Sequence, residues 1–153
     1  MHKNRSVLFW RLMLLVTMAV IFIFSRQTGT VSGSISKKIA GLMGIEPVQG
    51  IPDIDMVPLL LGFSIRKYGH ILIFFLLGFS AFLSVERERG TAVQLLFGVG
   101  FSYIYACLDE IHQIFVEGRA GMFSDTIIDL GGIVAGVFAA LLVQSLIHRK
   151  NTH

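Results

Sequence analysis

The chain has 153 residues, 54% hydrophobic and only 15% charged, against roughly 25% charged in an average soluble domain. That composition belongs to a membrane protein, and at this length a small helical bundle uses most of the chain, so one membrane domain over residues 1–153 is expected. The net charge of +3 sits mostly at the ends of apolar runs, not in a basic stripe interleaved with aromatics, which argues against a nucleic-acid partner; the single cysteine, Cys107, excludes an internal disulfide and a cysteine metal cage.

Four windows, residues 7–24, 67–84, 91–108 and 126–147, meet the roughly 17–25 residues that cross a bilayer core. The first follows Lys3 and Arg5 and has the look of a signal peptide, but no small-x-small cleavage site follows it, and Ser25, Arg26 and Gln27 come directly after. It is read as a retained helix. Arg11, about one turn inside the window, can snorkel to the headgroups beside Trp10.

The connection over residues 25–66 is mixed. Val31, Ile35, Ile39 and Leu42 recur at helical spacing with Ser34 and Lys37 off the stripe, which predicts a short amphipathic helix on the bilayer, stopped by Gly44. Pro47, Gly50, Pro52 and Pro58 impose turns, and Asp53 and Asp55 alternating with Ile54 and Met56 give an irregular interfacial stretch over residues 51–61. Glu86, Arg87, Glu88 and Arg89 form a solvated turn that makes the second and third spans an antiparallel hairpin.

After the third span, Ile111, Ile114, Phe115 and Val116 are too apolar for a soluble loop, so the chain continues as helix or re-enters the membrane before Gly118 and Gly121 turn it. In the fourth span Gly132-x-x-x-Gly136 permits close helix contact. The expected fold is an all-α integral membrane protein: a four-transmembrane-helix bundle with an interfacial segment after the first span and an extended or re-entrant connection after the third.

An even number of spans puts both termini on one side. Seven basic residues (Lys3, Arg5, Arg11, Arg87, Arg89, Arg149, Lys150) then face six (Arg26, Lys37, Lys38, Arg66, Lys67, Arg119), which favours cytoplasmic termini.

That threading gathers the polar residues at the other face. Arg26 and Gln27 end the first span, Arg66, Lys67 and His70 begin the second, Asp109, Glu110 and His112 end the third, and Asp125 and Asp129 begin the fourth. Asp109 with His112 and Gln113, and Asp125 with Asp129, share helix faces at separations of three or four residues. Each has a plain reading: Asp125 is a good first-turn acid, Arg66 and Lys67 are ordinary membrane anchors, and His112 is an interfacial histidine. Asp129 lies a turn deeper, where an unpaired carboxylate is costly, so it needs a partner or a task.

Together they are candidate site residues. Asp109, Glu110, His112 and Asp129 are the candidates for proton transfer, a carboxylate fixing the tautomer of a histidine. Arg66, Lys67, His70, Gln113, Arg119 and Asp125 are the candidates for holding a ligand, with Arg119 either neutralising a nearby acid or, with Arg66 and Lys67, gripping a phosphate or carboxylate. A divalent cation among Asp109, His112, Asp125 and Asp129 is a further alternative, although the spacing matches no specific metal motif. No cofactor is specified.

These residues carry a resemblance. Phe24-Ser25-x-Gln27, Arg66-Lys67-x-x-His70, Asp109-Glu110-x-His112-Gln113-x-Phe115-x-x-Gly118-Arg119 and Asp125-x-x-x-Asp129-x-x-Gly132-x-x-x-Gly136 make the chain similar to the VanZ-like membrane proteins over most of its length. Glu117 stands where similar proteins often have proline, and Asp129 where they have Asn or Asp. The resemblance implies a bacterial plasma-membrane protein with a cell-envelope role connected with resistance to teicoplanin-type glycopeptides.

Three function classes follow. The first is an extracytoplasmic polar pocket that binds or alters an anionic or lipid-linked envelope component. The others are a small ion- or proton-coupled lipid transporter, working as a homo-oligomer, and a non-catalytic scaffold.

Overall fold

The computed structural model describes residues 2–42, 65–119 and 123–151, and these are 91% helical with no strand. Among these residues five long helices follow in chain order: α1 (His2–Ser25), α2 (Gly29–Leu42), α3 (Ile65–Ser84), α4 (Thr91–Ile114) and α5 (Phe123–Asn151). All but α2 are long and apolar enough to span a membrane. The four expected windows are therefore present, each helix running beyond its window at one or both ends.

The core lies between α3 and α5, where Phe74, Leu77, Ala81 and Phe82 meet Ile133, Val137 and Ala140, all buried. Glycine sets this contact. A Cβ on Gly132 would lie 2.6 Å from the Ile71 carbonyl oxygen, one on Gly78 would lie 2.5 Å from that of Ile133, and one on Gly136 would overlap the Phe75 carbonyl. The two backbones touch, as the small-x-x-x-small pattern allows. Contacts rise together along both chains, from Ile71 with Gly132 to Phe75 with Gly136, so α3 and α5 run parallel.

Helix α1 lies outside this pair. It contributes Leu14 and Ile21 to the core and exposes Leu8, Leu12, Leu15, Val16 and Ile23, as a lipid-facing helix should. The Tyr105 hydroxyl donates to the Met18 carbonyl at 2.8 Å and ties α1 to α4.

Helix α4 is wound as a π-helix over Leu96–Phe101. Its buried residues Gln94, Gly98, Ser102 and Ala106 recur at every fourth position. At 3.6 residues per turn that spacing drifts away from a fixed face, and the wider π turns absorb the drift, so that Asp109 and Gln113 also arrive facing inward. Past the third predicted window the helix simply continues to Ile114 and then turns through Gly118, whose φ of 71° suits glycine.

At the end of the bundle away from the candidate residues, Arg11 donates through Nε to the Ser84 carbonyl at 3.2 Å and lies 3.5 Å from Glu86. It caps the Ser84 carbonyl at the end of α3. The exposed turn Arg87–Arg89 is a 3-10 helix closed by Gly90 at φ 92°. The expected turns and interfacial stretch built on Pro47, Gly50, Pro52, Pro58 and residues 51–61, with the Gly44 stop, lie outside the described residues.

Candidate functional site

Two base–acid pairs, one of lysine and one of histidine, are stacked between the first turns of the parallel helices α3 and α5. Lys67 Nζ lies 3.7 Å from Asp125 Oδ1, and one turn deeper His70 Nδ1 lies 3.3 Å from Asp129 Oδ1. The spacing on each helix explains the match, since residues three or four apart share a face. Asp125 also sits in the first turn of α5, where the helix dipole favours an acid. Asp129 is fully buried, and its Oδ2 makes no hydrogen bond among the described residues. Asp109 and Asp125 are both close enough to act on it electrostatically.

A second network joins α1 to α4. All three guanidinium nitrogens of Arg119 donate: Nε to the Gln27 carbonyl, one terminal nitrogen to the Phe24 carbonyl and the other to Gln113 Oε1, each at 3.0 Å. Gln113 in turn donates to Asp109 Oδ2 at 2.8 Å. The guanidinium fork thus takes up the Gln27 carbonyl just past α1 and shares the Phe24 carbonyl with Gln27 N–H, and the buried amide passes the connection to a buried acid. The turn carrying Arg119 is held against the next helix as well. Gly29 N–H donates to the Glu117 carbonyl at 3.1 Å, and a Cβ on Gly29 would overlap the Gly118 carbonyl.

Between these networks lies a cavity of about 320 Å³, bounded by α1, α2, α3 and α4. Val20, Ile21, Leu72, Ile73 and Leu76 give it apolar walls, and Ile35 and Ile39 of α2 cover it from the side. Ser25, Gln27, His70, Asp109, Gln113 and Arg119 make one polar end. Phe24, Ile39, Leu72 and Leu76 line the cavity and are also exposed among the described residues. Apolar walls with a few placed polar groups, at the small end of ligand-pocket volumes, are what a ligand site presents.

The candidate residues fall into three groups. His70, Asp109, Gln113 and Arg119 line the cavity; Lys67, Asp125 and Asp129 stand behind it in the paired stack. Glu110 is buried on α4 and His112 packs its ring 5.3 Å from Phe22, its Nε2 buried without a hydrogen bond among the described residues; neither lines the cavity. The Arg66 side chain lies outside the described residues. Among the described residues no three acids, histidines or cysteines converge as a metal site.

The family model for VanZ/LLP1 matches residues 10–144, most of the chain. The chain belongs to the VanZ/LLP1 family. With its four apolar helices it is a multi-pass membrane protein. The matched segment of this VanZ/LLP1 chain contains every residue of the paired stack, the Arg119 network and the cavity. No curated protein and no solved structure matches it.

Several contributors escape reasoning from side-chain types. Ser32 and Ser36 of α2 line the cavity beside Ile35 and Ile39, because the face between the expected apolar stripe and its neighbours turns toward the bundle. Buried Gln94 exchanges amide hydrogen bonds with Gln144 at 3.2 and 3.1 Å near the opposite end, fifty residues away in sequence. The only sequence signal for that pair is an uncharged amide inside each of two apolar windows.

Proposed function

We propose that this VanZ/LLP1 protein binds a lipid-linked component of the bacterial cell envelope in the cavity under α2, at the outer face of the plasma membrane, and thereby lowers susceptibility to teicoplanin-type glycopeptides. The observation that carries the reading is the cavity itself: apolar lining residues that are in part exposed, which suit a lipid chain, with Asp109, His70, Gln113 and Arg119 for a headgroup. The even number of spans and the seven-to-six distribution of basic residues support cytoplasmic termini, which sets this end outward.

In this reading His70 and Asp109 are the groups that meet the ligand, and Asp129 is a positioning residue that fixes the His70 ring through Nδ1. Arg119 shapes the polar end by anchoring it to α1 rather than by gripping a phosphate. The exposed cations Arg26, Lys37 and Lys38, next in sequence to the lining residues Ser25, Gln27, Ser36 and Ile39, supply attraction for an anionic portion of the ligand.

The test is teicoplanin susceptibility in a Gram-positive host expressing the chain. Wild-type protein should raise the inhibitory concentration, and Ser36→Trp, which fills the cavity from α2, should return it to the empty-vector value at equal membrane abundance. Resistance undiminished by Ser36→Trp and by Ile73→Trp would refute the pocket reading.

A further inference from the structure

We propose that the polar end of the cavity is built for a hydrogen-bond donor carrying positive charge, the primary ammonium of a lipid headgroup, an assignment that rests on the lipid-binding reading above. The hydrogen-bond inventory leads there. Three of the five N–H donors of Arg119 are turned to the carbonyls of Phe24 and Gln27 and to Gln113, and the Gln113 amide joins Arg119 to Asp109 Oδ2. Beside them, three lining residues offer acceptors.

Asp109 is the first. It is only 7% exposed and lines the cavity, yet its Oδ1 makes no hydrogen bond and its carboxylate no ion pair among the described residues. A buried carboxylate held by one neutral amide is expensive unless a cation reaches it. His70 is the second. With Nδ1 against the Asp129 carboxylate, the proton belongs on Nδ1, and Nε2 presents a lone pair that has no donor among the described residues. The Ser25 hydroxyl is the third, buried in the same wall with no hydrogen-bond partner among the described residues.

Three acceptors around one small space match the three N–H donors of a primary ammonium. A phosphate placed there would set its charge against Asp109, with Asp129 close behind. The anionic part of a zwitterionic headgroup belongs instead with the exposed cations Arg26, Lys37 and Lys38.

The experiment is a native mass-spectrometric competition on the full chain in detergent. The probes carry identical acyl chains: phosphatidylethanolamine, its N,N-dimethyl and N,N,N-trimethyl forms, phosphatidylglycerol, and a monoglucosyl diacylglycerol. The expected result is that phosphatidylethanolamine is retained roughly tenfold over the trimethyl form and over phosphatidylglycerol, with the dimethyl form between, as charge-assisted hydrogen bonds are removed. Asp109→Asn should bring the ethanolamine lipid to near parity with the glucosyl lipid. Should that variant fail to fold, the wild-type series decides alone.

Equal retention of the trimethyl form, a preference for phosphatidylglycerol, or a glucosyl lipid held as well as phosphatidylethanolamine by wild type would overturn the assignment. So would an unchanged preference in folded Asp109→Asn. Retention of lipids without discrimination defeats only the headgroup assignment, whereas retention of none defeats the lipid-binding reading too.

Discussion

Replacing Arg119 by Met separates an anchor from a ligand grip. The guanidinium makes three hydrogen bonds of 3.0 Å, two to backbone carbonyls at the end of α1 and one to Gln113. A hydrogen bond to a charged group contributes about 1.5–3 kcal/mol. The bond to Phe24 is exposed and the other two are part-buried, so water recovers much of the loss. The net cost expected is about 3 kcal/mol, or roughly 10 °C in Tm for a chain of this size. Lys in place of Arg keeps the charge but not the planar fork, and should recover less than half of the loss.

Thermal unfolding in detergent, followed by the monodisperse peak on size exclusion, reads this directly. Adding Gln113→Leu to Arg119→Met should cost less than the sum of the two single changes, because both break one chain of contacts. If Arg119→Met leaves Tm unchanged while ligand retention collapses, Arg119 is a ligand contact and the anchoring argument is wrong.

Three further outcomes follow from the packing. Gly136→Leu should destabilise the bundle by about 3 kcal/mol or abolish folding because its Cβ meets the Phe75 backbone, whereas Gly131→Leu, with open space around it, should be tolerated; equal effects on thermal stability would contradict the backbone contact. Asp129→Ala should cost about 3 kcal/mol, as expected for breaking a buried pair, and Asp125→Ala below about 1 kcal/mol, since its partner Lys67 is more exposed; denaturant titration in mixed micelles that gave the reverse order would show the stack to be misread. Gln94→Leu should cost about 1–2 kcal/mol, and adding Gln144→Leu should cost little more, because removing both partners of an amide pair leaves less unsatisfied than removing one; additive losses in the same titration would argue against the pair.

The sequence was most informative where physics acts through composition and period. Hydrocarbon demands long apolar helices, so all four spans were legible, and the stripe of Val31, Ile35, Ile39 and Leu42 marked α2. Gly132 and Gly136 marked the contact, although only the fold could supply Gly78 as their counterpart on α3. Even-span threading also placed the candidate residues at one end, but one end is not one pocket. Whether a side chain faces the cavity depends on helix rotation, and in α4 that rotation is reset by the π stretch, which no hydrophobic pattern announces.

The role of Arg119 was hidden for a different reason. Its partners are largely main-chain carbonyls, and these carry no residue-specific signal. The close approach of Gly29 to Gly118 was hidden likewise, since it joins two turns through backbone alone.

The central claim is that a lipid chain occupies the space between α1, α2 and α3. Photolabelling of the protein in native membranes, with a lipid bearing a photoreactive acyl chain, tests it most directly once the labelled residues are mapped by mass spectrometry. The account predicts labels concentrated on the cavity walls, at Val20, Ile35, Ile39, Leu72 and Ile73, and their loss in Ser36→Trp. Labels confined to outward-facing positions such as Leu12, Leu15, Leu146 and Ile147, unaffected by Ser36→Trp, would contradict it.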